Sequence, residues 1–498
     1  MNTPSSDEEH EVSTNAIPLF ARAPIITSQR LTSEKMMEFL NYREEHECRV
    51  AVFYTTVCQK SYGQERRFFC PPPCVYLLGQ GWKLKKQRMS DYYKSLKLDE
   101  DTIREEQSAE LVGYVVVGNN NGEKYPLDFS TAKIKHPGDL KPDSKIYDYS
   151  AARAVTICNS DKRKCLYLNV QLFFGCGMEI GQFLTKRIKV ISKPSKVKLT
   201  MKEGDGRHMS QFIVSGSKVA LFNRQRNSGS FTKFLHVEGG TFRASAIRWG
   251  AFSIHLCDEE REPDLFSTRD GFIHFGSTIK LVDSTTGISL PKLRIRKVEK
   301  DQVILDDARD EPTSQLQRCA FQMVDNEEMY LCRRLHDIIL QRADRVSEKR
   351  HKVSDEVIWT IISADTAEFR FYEAMGTVST PVTPCPVVKA IEVIGIGRNS
   401  RVVLLGKDFQ PNLKVWFGAT EVDTIFESGE SMVCKVPAVG TVARSETFSS
   451  GWKGDVETPI SLVRDDGVIY PTDLSFSYKS LDTLPVQSQE FMATYFDL

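Results

Sequence analysis

From Gln211 to Met375 the chain repeats one pattern: FIVSGSKVALFN, FTKFLHV, WGAFSIHL, GFIHFGSTIKLV, LRIRKV, AFQMV, MYLC, VIWTII and FRFYEAM, separated by Gly- and Asp-bearing turns. Short alternating segments of this kind bury one face and wet the other, which is strand behaviour. Between them lies no amphipathic stretch long enough to supply the helices that cover a parallel sheet. The region is therefore confined to an antiparallel Greek-key barrel or sandwich. His236, His255 and His274 fall in separate segments and read as sheet residues rather than as a catalytic group.

The same reasoning extends outward. On the N-terminal side, Val50, Val52, Tyr54, Phe68, Val75–Leu78, Gly113–Val117, Ala152–Ile157, Leu166–Phe173 and Ile188–Ile191 predict another all-β unit. Thr32, Ser33 and Glu34 open a short helix, the only substantial one expected in the first third. Met89–Glu110 reads as a charged insert with a local helix through IREEQSAELV, Asp128–Tyr149 as a loop, and NSDKRKC as a hairpin with Lys162, Arg163 and Lys164 at its tip. On the C-terminal side, AIEVIGI, RVVLLG, NLKVWFG, SMVCKV, TPISLVR and LSFSYK predict an immunoglobulin-like sandwich, with Trp416 as a core anchor and Asp465–Asp466–Gly467 as a turn. A chain of 498 residues exceeds what one core can serve. The expected division is a disordered arm over 1–29, an all-β domain with a basic connector over 30–200, a second over 201–376, a proline-rich spacer over 377–387, the sandwich over 388–480 and a tail over 481–498.

Several function classes fall away. With 66 basic and 66 acidic residues the formal charge is zero, so any binding of a polyanion must rest on local patches. The 12 cysteines are scattered behind an opening without a secretory pattern, and free thiols of a cytosolic or nuclear protein are expected. Cys70 and Cys74, spaced CPPPC, lack a second ligand pair, so no metal site is expected. No apolar run is long enough for a membrane helix. Walker, Rossmann, HExxH and Gly-x-Ser-x-Gly patterns are missing from any strand–turn–helix setting, so neither an enzyme nor a cofactor is expected.

The local charge is concentrated. QKSYGQERRFFCPPPCVYLLGQGWKLKKQR, Gln59 to Arg88, sets Lys60, Arg66, Arg67, Lys83, Lys85, Lys86 and Arg88 against Glu65. Arg67 precedes Phe68–Phe69 and a proline-rigid turn, so its guanidinium can be held still enough to bond guanine O6 and N7 in a major groove. Lys60 and Arg66 suit phosphates, and Tyr62 offers a hydroxyl to the backbone. TKRIKVISKPSKVKLTMK adds a lysine-rich connector that includes Lys193 and Lys196. NRQRNSGS places Arg224, Arg226, Asn227 and Ser228 on a Gly229 turn that fits a minor groove. Together these suggest a clamp that reads both grooves of a duplex. The competing class is an adaptor that keeps the fold without a DNA site.

QKSYGQERRFFCPPPCVYLLGQGW, NSDKRK, RIKVISKPSK, SGSKVALFNR, LHVEGG, WGAF, RDGFIHFG and FYEAMG together resemble the CSL family, the nuclear DNA-binding transcription factors of Notch signalling known as recombination signal-binding protein J-kappa, Suppressor of Hairless and LAG. The likeness spans about residues 30–480, and the insert around 89–145 looks most like the nematode branch. It implies a Rel-homology-like N-terminal domain, a β-trefoil middle domain and a Rel-like immunoglobulin (IPT/TIG) domain. It also implies monomeric binding of double-stranded DNA at a GTGGGAA-type site. By that resemblance Arg67 reads bases in the major groove, Lys60, Tyr62, Lys193 and Arg224 fall at or near backbone positions, and Arg226, Asn227 and Ser228 enter the minor groove. Where the family commonly has Arg-Ser-Gln, this chain has Arg226-Asn227-Ser228. The resemblance further implies a groove for the Trp-containing RAM peptide of the Notch intracellular domain, and for corepressors that mimic it, at Phe266, Thr268, Ser289 and Leu340. Valine, alanine and glutamine are usual where Thr268, Ser289 and Leu340 stand, which predicts weakened or altered peptide recognition. Docking of ankyrin repeats and of a Mastermind-type coactivator is also implied.

Overall fold

The computed structural model of the chain describes residues 29–95, 109–118, 122–129, 146–192, 211–225, 232–257, 271–306, 311–395, 400–442 and 456–478. VIWTII and FRFYEAM, predicted as two strands of one domain, form a single strand, Trp359–Glu373, of 15 residues. At about 3.3 Å per residue it is on the order of 50 Å long. Thr360–Ala364 pairs antiparallel with Lys218–Phe222 of the middle region. Ala364–Tyr372 pairs with Glu47–Thr55 of the N-terminal region. Tyr372 and Glu373 pair with Ile469 and Val468 of the C-terminal region. The polar Ser363-Ala364-Asp365-Thr366 stretch divides two apolar runs and looks like a turn in sequence. Ladder partners on both sides satisfy its backbone instead, so the strand continues.

The middle region shows a three-fold arrangement that pattern alone did not display. The Ile213 N–H donates to Thr313 O at 2.9 Å, Thr313 N–H to Ile273 O at 2.7 Å, and Ile273 N–H to Ile213 O at 2.9 Å, closing a ring of three equivalent segments. Each segment then turns through a left-handed residue, Gly216, Gly276 or Leu316, into Lys218–Arg224, Thr278–Asp283 or Gln317–Met323. Ile213, Leu221, Ile273, Leu281, Leu293, Phe321 and Trp359 fill the centre. This is a β-trefoil.

His236, on Thr232–Glu238 of this region, is buried. Burial, then the charges of Arg248 and Arg243, push its pKa down to about 4. An unfolded chain binds that proton near pH 6.5. Stability should therefore fall as pH drops from about 6.5 towards 4, by an amount of order 3 kcal/mol. Chemical denaturation across that range should show the loss, and His236→Phe should flatten it.

The N-terminal region is built from Glu47–Thr55, Cys74–Leu78 and Ile146–Ala151 in one sheet. A second sheet runs in the order Lys124–Leu127, Leu111–Val117, Leu168–Phe174, Glu179–Leu184. Three readings need correction. A 15-residue helix, Gly81–Ser95, follows the proline-rich turn, so the helix at Ser33–Asn41 is not the only substantial one. Its buried stripe is Trp82, Lys85 and Met89, and a lysine in the middle of that stripe hides the helical period. The strand expected at Ala152–Ile157 lies instead at Ile146–Ala151, and Thr156 keeps only a bridge to Phe68. From Cys158 to Lys164 the chain is a loop rather than a hairpin, because Cys165–Leu166 pairs with Ile188–Lys189. Of IREEQSAELV, residues 103–108 lie outside the described residues, and Leu111–Val112 is strand.

The helix Gly81–Ser95 is pinned to the end of the central strand. Lys85 Nζ donates to Glu373 Oε1, and both side chains are nearly sealed from solvent, at 3% and 4% exposure. Arg88 Nη1 donates to the Glu373 carbonyl at 3.0 Å, and Trp82 Nε1 donates to Arg49 O at 3.2 Å.

The C-terminal region is a two-sheet sandwich. One sheet runs Val387–Ile394, Arg401–Lys407, Ser431–Lys435, Thr424–Ser428. Leu413–Phe417, Val456–Arg464 and Val468–Tyr478 face it, over Leu404, Val415, Phe417, Met432 and Leu462. Trp416 is buried as expected, but against Leu31, Met36, Phe39 and Tyr372, so it joins the N-terminal helix to the sandwich. Residues 378–386 form no strand, yet they are not loose. Val378, Val382 and Cys385 are buried, and Arg464 donates to Pro381 O and Thr380 Oγ1 while Asp466 holds its guanidinium.

Candidate nucleic-acid interface

The hairpin around Arg67 is anchored at its base. Lys60 N–H donates to Ile191 O at 2.9 Å and Ser61 N–H to Ile157 O at 3.1 Å. Tyr62 and Glu65 exchange both backbone bonds, at 3.2 and 3.0 Å, around Gly63, whose φ of 59° suits glycine. Phe69 is buried, and its N–H donates to Val155 O at 2.9 Å. Ser61 Oγ accepts the Arg67 N–H at 3.1 Å, so a nearly buried hydroxyl fixes the arginine's backbone. This positioning role was not foreseen, and its one signal in sequence is a small polar residue inside a basic run.

The side chains face outward. Arg66 is exposed, as are the rings of Tyr62 and Phe68. Arg67 Nη2 meets Glu65 Oε2 at 2.9 Å, and the Glu65 carboxyl is held below its usual range by the Arg67 hydrogen bond and charge. Lys60 Nζ donates to the Asp161 carbonyl, tying the hairpin to the basic loop. There Asp161 accepts from Arg163, from Nε at 3.1 Å on Oδ1 and from Nη2 at 2.6 Å on Oδ2, which lowers its pKa. Lys162 and Lys164 flank this pair. The result is a rigid, cation-rich surface with exposed aromatic rings, suited to contact with a phosphate backbone and base edges.

The proline turn brings the trefoil to this surface. Trp249 Nε1 donates to Pro72 O at 2.8 Å, and Arg224 Nη2 lies 3.6 Å from Cys70 Sγ. Burial raises the Cys70 thiol to about 11 despite Arg224 beside it, and raises Cys74 to about 12. Cys74 Sγ instead contacts Tyr149 Oη at 3.2 Å. CPPPC is thus a docking strap between regions. Among the described residues no group of three or more His, Cys, Asp or Glu side chains could hold a metal ion.

The structure therefore gathers Lys60, Tyr62, Arg66, Arg67 and Arg224, from two regions, around one strap. Lys193, Lys196, Arg226, Asn227 and Ser228 lie outside the described residues, as do Phe266 and Thr268. Of the expected peptide groove, Ser289 forms an isolated bridge with Val282, and Leu340 stands 45% exposed on Asp337–Arg342.

Three family models match the chain in order: LAG1, DNA binding, over residues 50–205; Beta-trefoil DNA-binding domain, over 238–359; and TIG domain, over 385–478. The human recombining binding protein suppressor of hairless-like protein is 37% identical over 445 residues, covering 88% of this chain and 80% of its own length. This chain belongs to the CSL family. The mouse recombining binding protein suppressor of hairless-like protein is also 37% identical, over 86% of this chain and 79% of its own length. The fission-yeast transcription factor cbf11 is 25% identical over 61% of this chain and 40% of its own length. As a CSL protein it is a DNA-binding transcriptional regulator of the Notch pathway, not an enzyme, and its three-domain all-β build is that of Rel-homology-like, β-trefoil and IPT/TIG units. Membership implies that it works in the nucleus.

Proposed function

We propose that this CSL protein binds duplex DNA as a monomer at a GTGGGAA-type site and reads both grooves. Arg67 takes a guanine edge in the major groove, Lys60, Tyr62, Arg66, Lys193, Lys196 and Arg224 hold the backbone, and Arg226, Asn227 and Ser228 enter the minor groove. The observation that carries this reading is the strap. Cys70 meets Arg224, and Pro72 meets Trp249, so the strap that follows the Arg67 hairpin lies against the end of Lys218–Arg224, two residues before Arg226 in the sequence. Two β regions joined this way can straddle one duplex. The test is a binding isotherm on a GTGGGAA duplex against a scrambled one at several salt concentrations. A tight, site-selective and salt-dependent complex supports the reading, and equal weak binding to both duplexes favours the adaptor.

Its protein partners are the Notch intracellular domain, a Mastermind-type coactivator and corepressors that use the RAM groove. Within the family the look of the insert around 89–145 supports a reading of the chain as most like the nematode branch. Recognition of the RAM peptide is weakened or altered. Hydroxyls at Thr268 and Ser289 bury less apolar area than methyls, at about 1 kcal/mol each, and Leu340 lacks the donors of an amide. Calorimetric titration with a RAM peptide should give lower affinity than for the human relative. Equal affinity would refute this part of the proposal.

A further inference from the structure

Thr-Pro occurs at Thr3, Thr380, Thr383 and Thr458. Thr3 lies outside the described residues, Thr458 is buried in Val456–Arg464, and Thr383 is half-buried, its Oγ1 accepting the Gln182 N–H at 2.9 Å. Thr380 is exposed, and residues 378–386 around it form neither helix nor strand. A hydroxyl followed by proline, at the surface of an irregular segment, is the feature that proline-directed kinases select. That hydroxyl also belongs to a clamp. Thr380 Oγ1 donates to Asp466 Oδ2 at 2.8 Å and accepts from Arg464 Nη2 at 2.9 Å. Arg464 donates from Nη1 to Pro381 O at 2.6 Å, and from Nε and Nη2 to the two Asp466 oxygens at 2.8 and 2.6 Å. The Arg464 and Asp466 side chains are 7% and 12% exposed. Burial works against the Asp466 charge, but the hydrogen bond and charge of Arg464, with the Thr380 bond, hold its carboxyl below the usual range. One guanidinium and one carboxylate thus balance each other, and the threonine joins them without a charge of its own.

The clamp sits on the join between two regions. Val382 N–H donates to Ile180 O at 2.8 Å on Glu179–Leu184, a strand of the N-terminal region, and the Val382 carbonyl accepts from Tyr470 Oη at 2.6 Å on the sandwich. We propose that Thr380 is a phosphorylation site and that phosphate there opens the clamp. A proline-directed kinase transfers the γ-phosphoryl group of ATP: the bond from phosphorus to the ADP oxygen breaks, a bond to Thr380 Oγ1 forms, and the hydroxyl proton goes to a base of the kinase. Oγ1 then has no proton to give Asp466. The phosphate brings a charge of about −1.5 to −2 at pH 7, beside a carboxylate whose charge Arg464 already balances. Like charges at this separation repel, and a nearly sealed ion pair offers the phosphate no water. The phosphothreonine therefore turns to solvent and draws Pro381 and Val382 from their partners. The sandwich is then held less firmly to the N-terminal region.

The test uses the full chain, incubated with a cyclin-dependent kinase and Mg·ATP and followed by peptide mass spectrometry and amide hydrogen exchange. Phosphate should appear on Thr380 and be missing from that position in Thr380→Val, which should keep the fold. On phosphorylation, exchange at the Val382 amide should quicken by about tenfold or more. The quickening should be smaller in Asp466→Asn, where the repelling charge is gone, each variant being compared with its own unmodified form. Thr380→Glu should reproduce part of the effect without the kinase. If the kinase modifies a peptide of residues 376–385 at Thr380 but leaves Thr380 of the folded chain untouched, Thr380 is not a phosphorylation site and the proposal fails. If Thr380 is modified while Val382 exchange stays the same or slows, phosphate does not open the clamp. Equal quickening in the wild type and Asp466→Asn would overturn the charge repulsion on which the opening depends.

Discussion

Arg67→Ala should lose about 1–3 kcal/mol of binding to a GTGGGAA-type duplex and little of its binding to a scrambled one. The magnitudes decide this outcome. In the free protein Arg67 is paired with Glu65, whose side chain is 63% exposed, and an ion pair so open to water contributes at most about 1 kcal/mol. A bidentate bond to guanine in a desolvated groove is stronger, so the guanidinium should exchange one for the other on binding. The backbone is already in place through Ser61 and the Tyr62–Glu65 turn, which leaves little to order. By the same argument Glu65→Gln should leave the fold unchanged and strengthen duplex binding modestly, since it removes both the competitor and a charge that phosphates repel. Filter-binding or fluorescence isotherms on matched and scrambled duplexes separate these effects.

The second large effect concerns stability. Glu373→Ala should destabilise the fold by about 3–5 kcal/mol, because it strands Lys85 in an environment where both partners are nearly sealed. Glu373 also ends the strand that all three regions share, and its carbonyl receives Arg88. Lys85→Met should cost about as much despite its apolar fit beside Phe174 and Phe371, since it leaves the Glu373 carboxylate sealed without its cation, whereas replacing both partners by apolar side chains should cost much less. Urea denaturation of the two single variants and the double variant gives the coupling between them.

Most of the fold was legible because most of it is local. Alternation identified the strands of the trefoil and the sandwich, and Thr32 marked the first helix through its bond to Lys35 N–H. What escaped was set at long range. The helix Gly81–Ser95 was hidden because Lys85 sits on its inward face, made tolerable only by a glutamate 288 residues away. The continuity of Trp359–Glu373 was hidden because Ser363 to Thr366 is polar, and only strands from other regions justify it. At the interface, Arg67 and Arg224 stood out by residue type. Their convergence did not, because it depends on Trp249 grasping the Pro72 carbonyl, and no local pattern encodes that contact.

Dimethyl sulfate marks guanine N7 in the major groove and adenine N3 in the minor groove, so methylation interference on one GTGGGAA duplex reports both halves of the clamp at once. Interference at a guanine, lost in Arg67→Ala, together with interference at neighbouring adenines that persists in that variant, is the result expected. Binding indifferent to methylation in both grooves would contradict the reading of this protein as a two-groove reader of DNA sequence.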